Sequence, residues 1–497
     1  MAITVPGVPS NVRVPFTYFG IDNSQAGFNQ QNTRILVFGE KLATGSASEN
    51  SIVQVFGNQD TLFGIGSMLA NQVDMILLNA PSAEIFAIPV PEAGAASVND
   101  VTVTGGPLTK PEVINLMVGG RVYSITGITG DSNAVIASNL AVAINADVKT
   151  YVTAAVAAGV ISLTSRHKGI VAGSIDVRSE YRRQRIENRS ITLTVAQTTV
   201  AAGSPSLASS LAGLADEAFD WICNPYLDGP NIAVLSLELS DTAGRWGALQ
   251  MLYGHAVGAM VDTPASLSTF GDTLNDQHFS VIGLFGSPTP AYLIASAVTA
   301  KCWLHLSTAP ELSRPLQTIL LSGVLAPEVE DVFTKSTRQS LYFDGIGSVT
   351  VGRDGKVRID RLLTTYKTND AGAPDNSYLD VQTMAQLQYF IRYMDARIKQ
   401  RYPRHALRGD AEPVLPGQFT VRPRDIKNEM VAAAQELSNQ NVIEDIAGFT
   451  ERLVVQRASD SGGDPNCIEM VLSPDLVNQF RIAKVLVQFY NQYPTSA

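Results

Sequence analysis

Charge is scarce in this chain: only 16% of its residues are Asp, Glu, Lys or Arg, while 45% are hydrophobic. So little charge implies much surface that is neutral or covered by partners, as in a subunit of an assembly. The balance is acidic, with a formal net charge of -10, which argues against a general nucleic-acid binder because phosphate contacts need concentrated basic surface. Cysteine is rarer still. Cys223, Cys302 and Cys467 lie far apart, so neither a disulfide framework nor a zinc cluster is indicated. The five histidines form no H-x-x-x-H or H-x-H pair, and no metal site is expected.

The usual signatures of chemistry are missing too. No G-x-x-x-x-G-K-[ST] loop occurs, which speaks against nucleoside triphosphate hydrolysis. Gly64-Ile65-Gly66 and Gly345-Ile346-Gly347 begin like dinucleotide loops, but Leu69 and Thr350 stand where the third glycine belongs, so no cofactor is expected. There is no nucleophile elbow around Ser67 or Ser348. The segment from Asp22 starts like a calcium loop, yet Thr33 occupies the position of the bidentate glutamate. An enzyme is therefore not expected. The uncharged run from Phe279 to Ala300 is divided by Pro288 and Pro290 into a strand and a helix, which disfavours a membrane span. The N-terminus shows no basic region followed by an apolar one, so no export signal is read there.

What is present is an α/β rhythm on a chain of 497 residues, long enough for two to four cores. Strands are predicted near 34-38, 51-56 and 84-90, with a helix near 58-72. The rhythm resumes after residue 205 with helices at 206-221, 241-252 and 290-305 and strands at 231-239, 255-261 and 278-285. This alternation predicts an α/β, or α+β multidomain, fold: a helix-covered, mostly parallel core sheet built from 21-96 and 205-310. Between these halves, residues 97-204 are rich in Ala, Val, Thr, Gly and Ser with short strands, and read as a small inserted α+β domain. Its clear helix follows Ser132 or Asn133 and carries Ile136, Leu140 and Ile144 on one face.

Residues 311-481 read as a C-terminal α/β domain. It opens on a hairpin turned by Gly352-Arg353-Asp354-Gly355. A long helix follows, striped by Met384, Leu387, Ile391, Met394 and Ile398. Both chain ends read as extended arms: 1-20, with Ile3, Val5, Val8, Val12 and Val14 among prolines, and 482-497, with Val485, Val487 and Phe489. Pairing with a neighbour's sheet edge and pairing within the subunit are equally open for both arms on residues alone. The run RYMDARIKQRYPRHALR sets six cations, Arg392, Arg397, Lys399, Arg401, Arg404 and Arg408, against Asp395 alone. It is either a solvated helix end matched to the helix dipole or a dock for an acidic partner.

Four stretches carry a resemblance: VPSNVRVPFTYFGIDNSQAG, GSVTVGRDGKVRIDRLLTTYKTNDAGAPDNSYLDVQTM, RYPRHAL and SPDLVNQFRIAKVLVQFY. Together they make the chain similar to contractile phage tail sheath proteins of the Mu-like type over nearly its full length. Residues 110 to 175 resemble the variable protrusion domain of that family. The resemblance implies a non-enzymatic subunit that polymerises helically with itself around a tail tube protein, assembled in the host cytoplasm and located in the virion tail. It further implies baseplate and tail terminator proteins as partners, no direct contact with nucleic acid, no membrane insertion, and contraction as the working stroke. Under it, the basic run would face the tube and the arms would tie neighbouring subunits together. A tailocin or related injection device would carry the same sequence features.

Overall fold

The computed structural model describes residues 33–413 and 418–491. An eight-stranded sheet organises it, in the order Val357–Arg361, Ile346–Val351, Phe279–Leu284, His255–Val261, Trp221–Cys223, Arg34–Glu40, Glu84–Val90, Val53–Val55. The six central strands are parallel, and the outermost strand at each edge runs antiparallel. The inner strands are near-continuous apolar runs, as strands covered on both faces must be: Phe279–Leu284 is buried at every position. Helices Met68–Asn79 and Ala291–Leu306 pack on each other over Arg34–Glu40, burying Leu69, Val73, Ile76, Ile294, Val298 and Cys302. The mostly parallel, helix-covered sheet expected from the sequence is thus present. Among the described residues, no helix is long and apolar enough to cross a membrane.

Two readings between 229 and 252 are corrected. The stretch read as a strand at 231-239 is the helix Gly229–Leu239. Asp228 caps it, its carboxylate accepting from Asn231 N, and Pro230 sits in the first turn where no helical N–H is needed. Ile232, Leu235 and Leu239 are its buried face, a helical and not an alternating spacing. The helix read at 241-252 is a chain of turns wrapped around Arg245, whose side chain is fully buried. The Arg245 guanidinium donates to Tyr253 O at 3.2 Å and to Glu217 O, and its main-chain carbonyl accepts from Leu252 N and Tyr253 N, a closure that a straight helix cannot make. The helix read over 206-221 is short, Ala208–Ala212.

Residues 98–199 add no strand to the large sheet. They form a four-stranded sheet (order Thr192–Thr199, Val98–Thr104, Val160–Ser165, Val152–Ala157) and a three-stranded one (Arg121–Gly127, Glu112–Val118, Val177–Arg178). Helix Asn133–Ala146, capped by Ser132, buries Ile136, Leu140 and Ile144 there. The chain enters and leaves through a narrow neck in which Ala95 and Ala202 pair antiparallel.

Beyond the large sheet, helix Val381–Arg401 lies against Pro423–Asn439 and buries Met384, Phe390 and Met394. Asp220, 4% exposed, ties this helix to the sheet. Its carboxylate accepts from Arg34 N at 2.8 Å, from Gln388 Nε2 at 2.6 Å and from the Arg392 guanidinium.

Candidate assembly interface

The end of the chain is anchored and then released. Asp475–Leu476 pairs with Ile443–Glu444, and Val477 N donates to Val442 O at 3.1 Å. Gln386 Nε2 donates to Val477 O at 3.0 Å. Arg481 is the last anchor: its Nη2 donates to Gln382 Oε1 at 2.8 Å and lies 3.3 Å from Asp380, which Arg361 already holds with two bonds of 3.1 and 3.0 Å. Burial and the neighbouring Arg361 push the Arg481 guanidinium below its ordinary value, with Asp380 opposing. Arg481 Nε and Nη1 and Gln382 Nε2 are buried without an acceptor among the described residues.

After Arg481 the chain runs to Asn491 in neither helix nor strand and makes no main-chain hydrogen bond with the described residues. Val485, Val487 and Phe489 are 77%, 78% and 80% exposed, and Ile482, Leu486 and Tyr490 are exposed with them. In an extended chain Ala483, Val485, Val487 and Phe489 share one face, which is wholly apolar. An isolated segment of this composition leaves both its apolar face and its backbone N–H and C=O groups to water. The N-terminal arm residues Ile3, Val5, Val8, Val12 and Val14 lie outside the described residues.

An open edge is found in the same region. Strands Val454–Arg457 and Ile468–Val471 form a two-stranded antiparallel sheet, in register Val454↔Val471 to Arg457↔Ile468, that packs on helix Pro423–Asn439. Among the described residues each strand has one neighbour, which leaves an outer row of N–H and C=O groups on each unpaired there. Val455, Ile468 and Met470 are half-buried while Val454 and Val471 are exposed, so the sheet has one apolar, helix-backed face that a further strand would widen. The sequence marked both strands as strands but not their isolation, which depends on where the rest of the chain ends up.

The six cations of the basic run divide by partner. Arg392 is committed to Asp220 and lies 5.3 Å from the Tyr253 ring centroid. Arg397, 13% exposed, donates from Nε to Glu429 at 2.6 Å and from Nη2 to Glu436 at 2.8 Å. These carboxylates hold the Arg397 guanidinium above its ordinary value against the opposing effect of burial. Arg401 reaches Glu429 at 3.4 Å, and Lys399 pairs with Asp395 at 2.7 Å while 72% exposed. Arg408 donates to Pro413 O at 2.7 Å, and Arg404 is exposed with no ion pair among the described residues. The outward-facing charge is thus carried by Lys399, Arg401 and Arg404.

One cluster of metal-ligating type occurs among the described residues, Glu40, Glu92 and His167. Its geometry opposes a metal. Met68 N donates to His167 Nε2 at 3.0 Å, so the ring proton sits on Nδ1, the nitrogen that faces the two carboxylates. A ring so held has no lone pair to offer there.

Comparison with known proteins shows what the whole chain is similar to. Residues 200–365 match the family described as phage tail sheath protein central domain, and residues 373–490 match phage tail sheath C-terminal domain. A Mu-like prophage FluMu tail sheath protein from Haemophilus influenzae is 34% identical over 495 residues, covering 98% of this chain and 100% of that protein. Among solved structures, a sheath tail protein from Desulfitobacterium hafniense aligns over 94% of this chain and 97% of its own, with 12% identity and a TM-score of 0.48. One from Listeria innocua aligns over 91% and 94%, with 11% identity and a TM-score of 0.45.

Proposed function

The chain belongs to the phage tail sheath family, and from that premise we propose that it polymerises helically around a tail tube and contracts to drive the tube through a host envelope. The observation that carries the mechanism is the unpaired arm. Among the described residues, the ten of β-forming sequence at 482–491 have no main-chain partner, and a two-stranded sheet in the same part of the fold has both edges open. Each is the complement of the other. The arm of one subunit adds to the edge of a neighbour's Val454–Arg457 and Ile468–Val471 sheet, laying Val485, Val487 and Phe489 beside Val455, Ile468 and Met470. Main-chain bonds along such a strand hold subunits together while rigid parts rotate. The buried, unsatisfied donors of Arg481 and Gln382 at the root of the arm take carbonyl oxygens of an adjoining chain. The N-terminal arm, 1-20, serves as the second tie.

Contacts to the tube must be weak enough to break during the stroke, and exposed cations suit that task because exposed ion pairs contribute little each. Lys399, Arg401 and Arg404 are the cations that face outward, so the helix end Lys399 to Arg404 faces the tube. Arg392 and Arg397 instead hold that helix in place. Residues 97-204 form the outer domain; the core joins 21-96 and 205-310 with the edge strands Ile346–Val351 and Val357–Arg361, which the sequence alone assigns to the C-terminal domain, and the inner domain is the part of 311-481 that follows them. Baseplate and terminator proteins cap the lattice, which assembles in the host cytoplasm and works in the virion tail. The subunit does this without catalysis, and neither the Glu40 cluster nor the arm region offers a paired nucleophile and base.

Electron microscopy of the purified protein, intact and lacking 482–497, tests the reading. Hollow helical tubes from the intact chain and dispersed particles from the shortened one are expected. Tubes of the same order from the shortened chain would remove the arm from the mechanism.

A further inference from the structure

The neck between the large sheet and residues 98–199 encloses a buried acid that neither the arm nor the tube contact uses. Glu40, the last residue of strand Arg34–Glu40, is 0% exposed, and neither carboxylate oxygen has a hydrogen-bond partner among the described residues. Above it the loop His167–Gly169 reaches back from the inserted residues. His167 Nδ1 donates to Glu92 Oε1 at 2.6 Å and lies 3.5 Å from Glu40 Oε2. His167 Nε2 accepts from Met68 N at 3.0 Å, at the start of helix Met68–Asn79. One ring therefore bolts the inserted residues to both the sheet and a core helix. Gly169 N donates to Ala95 O at 3.1 Å and Ile170 N to Gly203 O at 2.9 Å, closing the loop over both strands of the neck. A Cβ on Gly169 would lie 3.7 Å from Glu40 Oε1, which places that loop directly against the buried acid.

We propose that this neck is a proton-controlled latch: it is closed while Glu40 is a neutral acid beneath the His167–Glu92 pair, and it loosens when that proton is lost. A carboxylate with no hydrogen-bond donor among the described residues, buried beside a second carboxylate, is the unfavourable species, whereas the neutral acid has no charge to desolvate and none to set against Glu92. The groups facing it are Glu92 from the neck, His167 from the loop, Tyr226 from the segment after Trp221–Cys223 and Tyr292 from helix Ala291–Leu306. Glu92 carries the negative charge among them. His167 uses Nε2 to accept from Met68 N, and burial raises both tyrosines, which stay neutral. Asp228 acts on Tyr226 from further off.

Burial first, and the Glu92 charge second, raise the Glu40 carboxyl to about 8. The sign follows from linkage. The closed neck binds a proton that the opened, hydrated neck releases, so closure is fully favoured below the ordinary carboxyl value and weakens as pH rises to about 8. Between those limits the opening equilibrium rises by about tenfold per pH unit, and above them it is flat.

Hydrogen–deuterium exchange of the full-length protein from pH 5.5 to 9, corrected for intrinsic exchange, tests this on peptides spanning 92–97 and 165–171. Protection there is expected to fall by about tenfold per unit until pH 8, while peptides from Phe279–Leu284 keep theirs. Glu40→Gln, the isosteric neutral side chain, should remove the slope and keep the low-pH protection. Glu92→Gln, which leaves Glu40 in place, should move the inflection to lower pH. A slope that persists in Glu40→Gln, or an inflection unmoved in Glu92→Gln, would overturn the latch.

Discussion

Replacing Val485, Val487 and Phe489 together by alanine separates an arm that links subunits from one that folds back on its own. The three side chains are 77%, 78% and 80% exposed in the subunit, so their loss removes almost no contact and should change its unfolding free energy by less than about 0.5 kcal/mol. Buried on a neighbour's sheet, they contribute at roughly 0.8 kcal/mol for each methylene-sized group withdrawn from water. Two Val→Ala and one Phe→Ala changes then remove about 8 kcal/mol at full burial, and about 4 kcal/mol for an edge strand covered on one face. That corresponds to roughly a thousandfold weaker linkage. Sedimentation and light scattering against protein concentration would give the threshold for tube formation, and calorimetry the melting of the dispersed subunit. Lys484→Ala, on the opposite face of the strand, should leave both unchanged. A lowered melting temperature of the dispersed subunit, or tubes at an unchanged threshold, would refute the reasoning.

Arg397→Ala strands Glu429, 9% exposed, without its nearest cation and should cost about 2–4 kcal/mol in thermal unfolding. Adding Glu429→Gln should recover more than half, and a melting shift below about 2 °C in the single variant would contradict an internal role. Asp220→Ala leaves Arg34 N, Gln388 and Arg392 without their shared acceptor, and a loss of about 2–4 kcal/mol in denaturant unfolding is expected. Lys399→Glu with Arg404→Glu should weaken assembly on a purified tube, most at low salt, with the melting temperature unmoved. Equal assembly with and without these reversals would take the tube contact away from this surface.

Much of the fold was legible because its parallel strands are short apolar runs bounded by turn residues, and because the stripe of Met384, Leu387, Ile391, Met394 and Ile398 has only a helical reading. The helix Gly229–Leu239 was missed for a physical reason. Its run from Ile232 to Leu235 is apolar without interruption, so period could not separate strand from helix, and Asp228 with Pro230 carried the deciding signal. The turns around Arg245 had no local signal, since a buried guanidinium is satisfied by carbonyls brought in by the fold. The arm was legible as β-forming, but its lack of a partner was not. The basic run shows the same limit: Asp220 lies 172 residues from Arg392, and Glu436 lies 39 from Arg397, so the pairing that sets their roles is invisible in the run itself. Glu40, Glu92 and His167 are likewise brought together only by the neck.

The division of labour among these contacts bears on how a sheath subunit can move without coming loose. The ion pairs at Asp220 and Arg397 lock helix Val381–Arg401 to its surroundings within one chain, so that helix and the sheet behind it turn as a unit. The arm beyond Arg481 has no such lock. Ten residues span at most about 33 Å when extended, which sets the limit on how far a subunit linked as proposed could shift from its neighbour. Strand addition is indifferent to the angle at which the tether approaches, because its bonds lie within the shared sheet. A rearrangement of rigid bodies can therefore break every exposed ionic contact and still preserve the linkage, provided that the tether's root at Arg481 and the neighbour's open edge remain within that span.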